Sequence, residues 1–466
     1  MMTLNDFVIQ TKKRKGSIVN STFSLPLSSM TYEERCDEIK KLTLQAKVGF
    51  GTPPPPFKAF RIENDRFYFP RFYGLERFGE PEVDERSKGD TIDLEFNGTL
   101  QKHQEKAIAT VMARCYAPNK SKGCIMVIPC GKGKTVTALK LAQMMKKKTI
   151  VLVHKTILAD QWVERMETFL PGCRIGRIQG DVFDIEDKDI VIGMILTVAK
   201  KGFTPEMFDS FGFAIYDECH HMAARVMNTA TLLINAENVL GLTATKERMD
   251  GMTELLHWSL GSEGFRHECK QELTHVSCMV YNDGNKKEIY YKDGQPAMSL
   301  MLSNIANDEK RTLSIANKMV KYYNNDRSLI VLSDRIAQLK MLTSMIVALG
   351  IPETSIGMLI GSTPKNVRNE TLKKRVLMCT YQMANEGLDK QELDCLIMAT
   401  PKGNCIQAIG RIQRPCETKK TPLVLDVVDS HSIFGKLKDK RMNIYRQNNY
   451  NCQTFNYENK TEEWFE

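Results

Sequence analysis

Cys124-Ile125-Met126-Val127-Ile128-Pro129-Cys130-Gly131-Lys132-Gly133-Lys134-Thr135 is the stretch on which the fold turns. Its apolar half reads as a buried strand, its glycine-rich half as a tight turn, and the residues after it as a helix. Strand, turn and helix in that order make a triphosphate-binding loop. Glycines at 131 and 133 let the backbone curl until several N–H groups face one anion, and the helix start adds its positive end. Gly131, Lys132 and Gly133 would then cradle the phosphates of ATP, Lys134 would neutralise β- and γ-phosphate charge, and Thr135 would hold Mg2+. Ile128 stands where the strict G-x-x-x-x-G-K-[ST] pattern has its first glycine, so the loop alone leaves a solvated surface turn as the alternative.

A second run argues against that alternative. Phe213-Ala214-Ile215-Tyr216 reads as a strand and ends in Asp217-Glu218-Cys219-His220. Two carboxylates therefore sit at a strand's carboxyl end, where parallel α/β sheets place their chemistry. Asp217 is expected to order the Mg2+ shell, and Glu218 to orient or deprotonate an attacking water. A purely structural acidic turn is the other reading of the same residues.

With 466 residues the chain exceeds what one hydrophobic core usually supports, so two large domains with a smaller appendage are expected. Hydrophobic residues at 42% and charged residues at 26% exclude wholesale disorder. The net charge of +9 favours a polyanionic partner, a basic enzyme without one being the alternative. None of the 13 cysteines forms a C-x-x-C pair, and Cys124, Cys130 and Cys379 fall in or beside apolar runs, so they read as reduced core thiols. His220-His221 has no Cys or Asp partner at zinc-ligand spacing. No stretch approaches the roughly 18 apolar residues that span a bilayer, so no membrane partner is expected. Lys12-Lys13-Arg14-Lys15 reads as a solvated basic tail, with a nuclear address or a nucleic-acid contact as the other readings.

The expected fold class is α/β, with two tandem parallel-sheet lobes and a small N-terminal β-containing module. Residues 1–95 form that module, in which Phe57 to Pro70 reads as a hairpin turning at Asn64-Asp65, either a packed element or a base-stacking platform. Residues 96–270 form the first lobe, with strands expected at 149–153, 189–192 and 238–242. Residues 271–303, with their turn-forming glycines, read as a connector. Residues 304–450 form the second lobe, with strands at 328–332, 376–379, 395–398 and 423–425, and 451–466 a tail. In the second lobe Gln407-Ala408-Ile409-Gly410-Arg411-Ile412-Gln413-Arg414-Pro415 sets Arg411 and Arg414 three apart, on one face of a helix. Such a pair suits phosphate oxygens and could act as arginine fingers; an ordinary solvent-facing basic helix is the alternative.

Together these segments resemble the superfamily-2 helicases and translocases over residues 98 to 430. The resemblance implies two RecA-like lobes that clamp ATP and carry nucleic acid. Gln104 matches the family's adenine-reading glutamine, and Pro129 to Thr135 and Asp217 to His220 match its motifs I and II. Leu242-Thr243-Ala244-Thr245 resembles motif III, which implies a coupling role for Thr243 and Thr245, together with His220. Val153-His154-Lys155-Thr156, Gln161-Trp162 and Leu196-Thr197 resemble motifs Ia and Ib, which implies that His154, Lys155, Thr156, Gln161 and Thr197 hold one strand's phosphate track. Thr380 with Glu386-Gly387-Leu388-Asp389 resembles motif V, which implies nucleotide contacts from Gly387 and Asp389. The arginine helix, with Gln407, resembles motif VI.

Within the superfamily the chain is most similar to the XPB branch and its members in large DNA viruses, related to the poxvirus transcript-release helicase. Phe57 to Gly74 and the basic-aromatic segment Lys440-Arg441 to Tyr450 carry that likeness. It departs from XPB at Arg248-Met249-Asp250, where XPB proteins have Arg-Glu-Asp. The resemblance implies DNA, single-stranded or duplex, as the partner, 3′ to 5′ polarity, a role in transcription, recombination or repair with proteins of transcription or repair as further partners, and a place in the nucleus or a cytoplasmic viral factory. An RNA-directed remodeller, the motor subunit of a nuclease and a scaffold without turnover are the competing readings.

Overall fold

The computed structural model describes residues 13–45, 55–118, 120–129, 131–221, 224–244, 252–267, 273–282, 288–361, 363–385, 390–414, 416 and 419–457. The chain divides into two compact units, Met1–Glu268 and Cys269–Glu466. Among the described residues no helix is long and apolar enough to cross a membrane.

The first unit holds an eight-stranded sheet in the order Val182–Asp184, Ile175–Gln179, Ile190–Met194, Thr149–Val153, Phe213–Tyr216, Asn238–Thr243, Gly123–Val127 and Glu263–Arg266. All neighbours are parallel except the first pair. Successive residues alternate between two cores: Cys124, Met126, Val151 and Ile215 enter one, while Ile125, Val127, Leu152 and Tyr216 enter the other. A strand buried on both faces must be apolar throughout, which is why these runs lack polar alternation.

The N-terminal module is a five-stranded sheet in the order Arg61–Glu63, Arg66–Pro70, Thr22–Pro26, Ile18–Val19 and Val83–Asp84. The hairpin turns at Asn64 and Asp65, both left-handed at φ 50° and 57°, as an inverse turn between twisted strands requires. Its opening residues behave differently from the expectation, because Phe57–Lys58 pairs with Thr43–Leu44 instead. Phe67 and Phe69 are buried, with ring centroids 4.3 Å apart, so these rings pack the module's core. That core continues without a break into one face of the large sheet, joining Phe23, Phe72 and Phe78 to Val127 and Leu255.

The second unit holds a seven-stranded, wholly parallel sheet in the order Ile356–Leu359, Val376–Thr380, Leu329–Ser333, Cys395–Met398, Leu423–Asp429, His275–Tyr281 and Asn451–Asn456. Two of its strands differ from the sequence reading. His275–Tyr281 lies in the stretch read as a connector, yet it is an interior strand of the sheet. Asn451–Asn456, read as tail, is the edge strand beside it, and of its residues only Phe455 is buried. The basic-aromatic segment near 440–450 packs into the second unit. In the helix Ser432–Gln447, Arg441 is buried on Asp426 at 2.8 Å, and Tyr445 donates to the same carboxylate at 2.9 Å. The described cysteines are free thiols, those on strands buried in the cores except Cys452 of the edge strand.

Candidate active site

Four neighbouring strands of the first sheet deliver the candidate residues at their carboxyl ends. In order across the sheet these are Thr149–Val153, Phe213–Tyr216, Asn238–Thr243 and Gly123–Val127. The loop after the last of these turns through Gly131 at φ 76° and Gly133 at φ 75°, conformations that favour glycine. Gly133 is also the N-cap of the helix Lys134–Met145, and its carbonyl accepts from Thr137 Oγ1 at 3.0 Å.

Gln104 reaches this loop from the helix Lys102–Val111. The residue is buried, and Nε2 donates to the Gly133 carbonyl at 3.2 Å while Oε1 accepts from Gln101 N at 2.8 Å. Beside it, His103 Nε2 lies 2.9 Å from the Lys132 carbonyl, and its ring stacks on His267 at 4.4 Å.

Lys134 Nζ approaches Glu218 Oε1 at 2.5 Å, with both side chains largely buried. Glu218 takes a left-handed backbone at φ 46°, and its N–H donates to Asp217 Oδ1 at 2.9 Å. Asp217 is buried, and its other oxygen accepts from Trp162 Nε1 at 2.9 Å. Burial, and then the charge of Glu218, raise the Asp217 carboxyl to about 6, against the opposing pull of Lys134. On the far side of Glu218, His220 Nδ1 stands 3.4 Å from Oε2 and 2.8 Å from Thr243 Oγ1. A continuous polar chain thus runs from Lys134 through Glu218 and His220 to Thr243. Thr135 is half-buried at the start of the same helix as Lys134.

A second cluster occupies the carboxyl ends of the adjoining strands. His154 and Lys155 follow Thr149–Val153, and Thr156 and Gln161 lie on the helix Thr156–Phe169. Gln179 Nε2 donates to Thr156 Oγ1 at 3.3 Å, and Gly180 N donates to Thr197 Oγ1 at 3.3 Å. The sequence reading missed Gln179 and Gly180, although a Gln-Gly turn after an alternating run was a legible signal. It also left Trp162 without a role, because its partner Asp217 lies 55 residues away.

In the second unit Thr380 ends the strand Val376–Thr380, and Gln407 and Arg411 lie on the helix Ile406–Ile412. Arg414 falls beyond that helix, so the shared helix face expected for the two arginines is not formed. Both are buried, which excludes the solvent-facing basic helix. Thr245, Gly387 and Asp389 lie outside the described residues, as do Cys130 and Arg248-Met249-Asp250.

Residues 97–248 match the family model described as "Type III restriction enzyme, res subunit". Over 404 residues the chain is 29% identical to the "Putative ATP-dependent RNA helicase L396" of Acanthamoeba polyphaga mimivirus, covering 84% of this chain and 77% of that protein. It is 25% identical over 411 residues to the "Putative helicase 161L" of Invertebrate iridescent virus 6, covering 83% and 89%. The solved structure of the ATP-dependent Type ISP restriction-modification enzyme LlaBIII bound to DNA shares the fold. Its TM-score is 0.56 at 15% identity, over 79% of this chain and 32% of that one. The chain thus combines parallel-sheet lobes of RecA-like fold with a glycine loop beside an Asp-Glu box, and it is similar to superfamily-2 helicases, enzymes that use ATP. The two sequence relatives named above are viral proteins.

Proposed function

We propose that the chain is a motor that hydrolyses ATP to move along or unwind DNA, in the 3′ to 5′ direction. The observation that carries this reading is the 2.5 Å approach of Lys134 to Glu218, which gathers a phosphate-neutralising cation and a water-orienting carboxylate at one sheet edge. Gln104 reads the adenine, and Gly131, Lys132 and Gly133 hold the phosphates. Lys134 balances γ-phosphate charge while Glu218 takes the proton of the attacking water. Arg411 and Arg414 act as arginine fingers on the departing γ-phosphate. Mg2+ suits the donors present, since the Thr135 hydroxyl and the Asp217 carboxylate are hard oxygens and this ion ordinarily takes one or two carboxylates plus substrate phosphates. When bound, it would neutralise phosphate charge.

His220 and Thr243 link Glu218 to the coupling segment, so a change at the phosphates has a polar route outward. His154, Lys155, Thr156, Gln161 and Thr197 hold the backbone of one strand, joined in this by Thr380 and Gln407. Backbone contacts fix register without reading bases, which is what a motor indifferent to sequence needs. A second reading, an RNA-directed helicase, is favoured by the name of the mimivirus relative.

The deciding experiment measures ATP turnover with single-stranded DNA, duplex DNA and RNA, alongside unwinding of tailed duplexes of both polarities. DNA is expected to stimulate turnover strongly; stimulation by RNA alone selects the second reading, and none by any polynucleotide defeats both. Lys134→Ala should lose nucleotide affinity and turnover, whereas Arg414→Ala should lose mainly turnover.

A further inference from the structure

A cavity of about 60 Å³ lies within the first unit, between the N-terminal module and the large lobe; its lining lies outside the numbered motifs and draws on the Phe57 to Gly74 segment. That volume holds a few water molecules or one tetrahedral oxyanion. Its walls come from the module's sheet at Arg61 and Tyr68, from Arg71, and from Asn228 on the helix Ala224–Leu233.

Arg71 sets the chemistry. The residue is only 3% exposed, its Nη1 donates to the Ala236 carbonyl at 2.7 Å, and among the described residues no carboxylate pairs with it. Asp84, on a nearby strand, accepts three hydrogen bonds from Arg86, so it and Glu237 act on Arg71 only through space. Burial, and then the charge of Arg86, lower the Arg71 pKa to about 9. A buried cation with no carboxylate in contact with it is costly, and an anion in the adjoining space lowers that cost. Two further features favour an anion. Pro70 and Arg71, both cavity residues, are the N-cap and first residue of the helix Arg71–Phe78, which has no side-chain cap and so leaves its first N–H groups available. Arg61, half exposed and 3.9 Å from the exposed Glu63 carboxylate, adds a second guanidinium, held over the Tyr68 ring at 4.4 Å.

We propose that this cavity binds a phosphate group, with Arg71 as its buried charged ligand, Asn228 as a neutral donor and Arg61 as the outer cation. The phosphate belongs either to a nucleic-acid backbone or to free inorganic phosphate. In the free form the site stands whether or not the motor reading does.

Two arms test it on the full chain, with the nucleotide site first filled by a non-hydrolysable ATP analogue. In the first arm inorganic phosphate, matched in ionic strength with chloride, should raise the melting temperature of the wild type by a few degrees. Arg61→Ala should weaken that response several-fold, and Arg71→Met should abolish it. In the second arm duplex DNA binding is measured across salt concentrations, and a backbone phosphate in the cavity predicts that Arg71→Met lowers the slope of log K against log salt by about one. A response in the first arm alone assigns free phosphate; a change of slope assigns the backbone. Arg71→Met removes a buried charge that no carboxylate touches and should fold; if it does not, Arg61→Ala decides in both arms. No phosphate response together with unchanged slopes overturns the proposal, as does a phosphate response that both variants retain in full.

Discussion

Lys134 Nζ and Glu218 Oε1 stand 2.5 Å apart although 84 residues separate them in the chain, and only the parallel sheet brings them together. Each holds the other's charge in a largely buried place. A γ-phosphate competes with Glu218 for the same ammonium, so on the proposed reading phosphate binding frees the carboxylate to act on water.

The two partners should therefore separate in their variants. Glu218→Gln keeps the shape of the side chain but not its basicity, so nucleotide binding should persist while kcat falls by about 10²-fold or more. Calorimetric ATP titration beside steady-state phosphate release checks this. A Glu218→Gln enzyme with near-normal turnover would falsify the assigned role.

Trp162→Phe removes the donor to Asp217 while keeping an aromatic ring in the core. The buried acceptor left behind should cost about 1–3 kcal/mol in chemical denaturation. A positioning role adds a second signature, a higher Mg2+ concentration for half-maximal turnover; an unchanged Mg2+ requirement would leave Trp162 a packing residue only.

Asp217 predicts a pH dependence. Its carboxyl is raised on folding from 3.8 to about 6. A group raised in this way stabilises the fold when protonated, below about pH 4, and that contribution is lost as pH rises through about 6. Above that range the buried charge costs on the order of 2–3 kcal/mol. Asp217→Asn should consequently melt above the wild type at pH 8, with the gap closing toward pH 4, even though the variant loses turnover. In the wild type, turnover should fall as pH drops below about 6. Melting curves that keep the same separation at both pH values would contradict the buried-charge account.

Gly133→Ala should damage nucleotide binding without unfolding the lobe. The position is left-handed at φ 75°, and an added methyl would run into Gln104 Nε2. Strain at one such residue costs about 1–2 kcal/mol, and displacing Gln104 should also weaken discrimination between ATP and GTP. Equal loss of affinity for both nucleotides would dissociate Gln104 from base recognition.

In the second unit, Arg311 and Asp429 form a pair at 2.8 Å with neither side chain exposed. Arg311→Met leaves that carboxylate buried without its cation, an expected loss of about 3–5 kcal/mol in urea unfolding. A loss under about 1 kcal/mol would mean that solvent reaches Asp429 once the arginine is gone.

Much of the fold was legible because the relevant signals are local. Short apolar runs such as Cys124 to Val127 and Phe213 to Tyr216, closed by turn or acidic residues, read as strands buried on both faces, and the glycines at 131 and 133 announce a turn by their conformation. Asn64-Asp65 gave the hairpin turn for the same reason. His275–Tyr281 and Asn451–Asn456 were hidden, the first by its turn-rich neighbours and the second by its polar composition. Their partners in the sheet are distant, and an edge strand needs few apolar residues.

By itself the amino-acid order determined the local chemistry of this protein: a glycine loop before a helix, carboxylates at a strand's end, and the alternation that demands parallel sheets. Tertiary structure alone decided which of these groups meet. Trp162 donates to Asp217, His220 joins Thr243, and Arg71 is buried beside a cavity with no carboxylate among the described residues paired to it. Conformational preference acts over a few residues, whereas burial and hydrogen bonding between strands join positions far apart in the chain, and those long-range terms set both the neighbours and the charge state of each group.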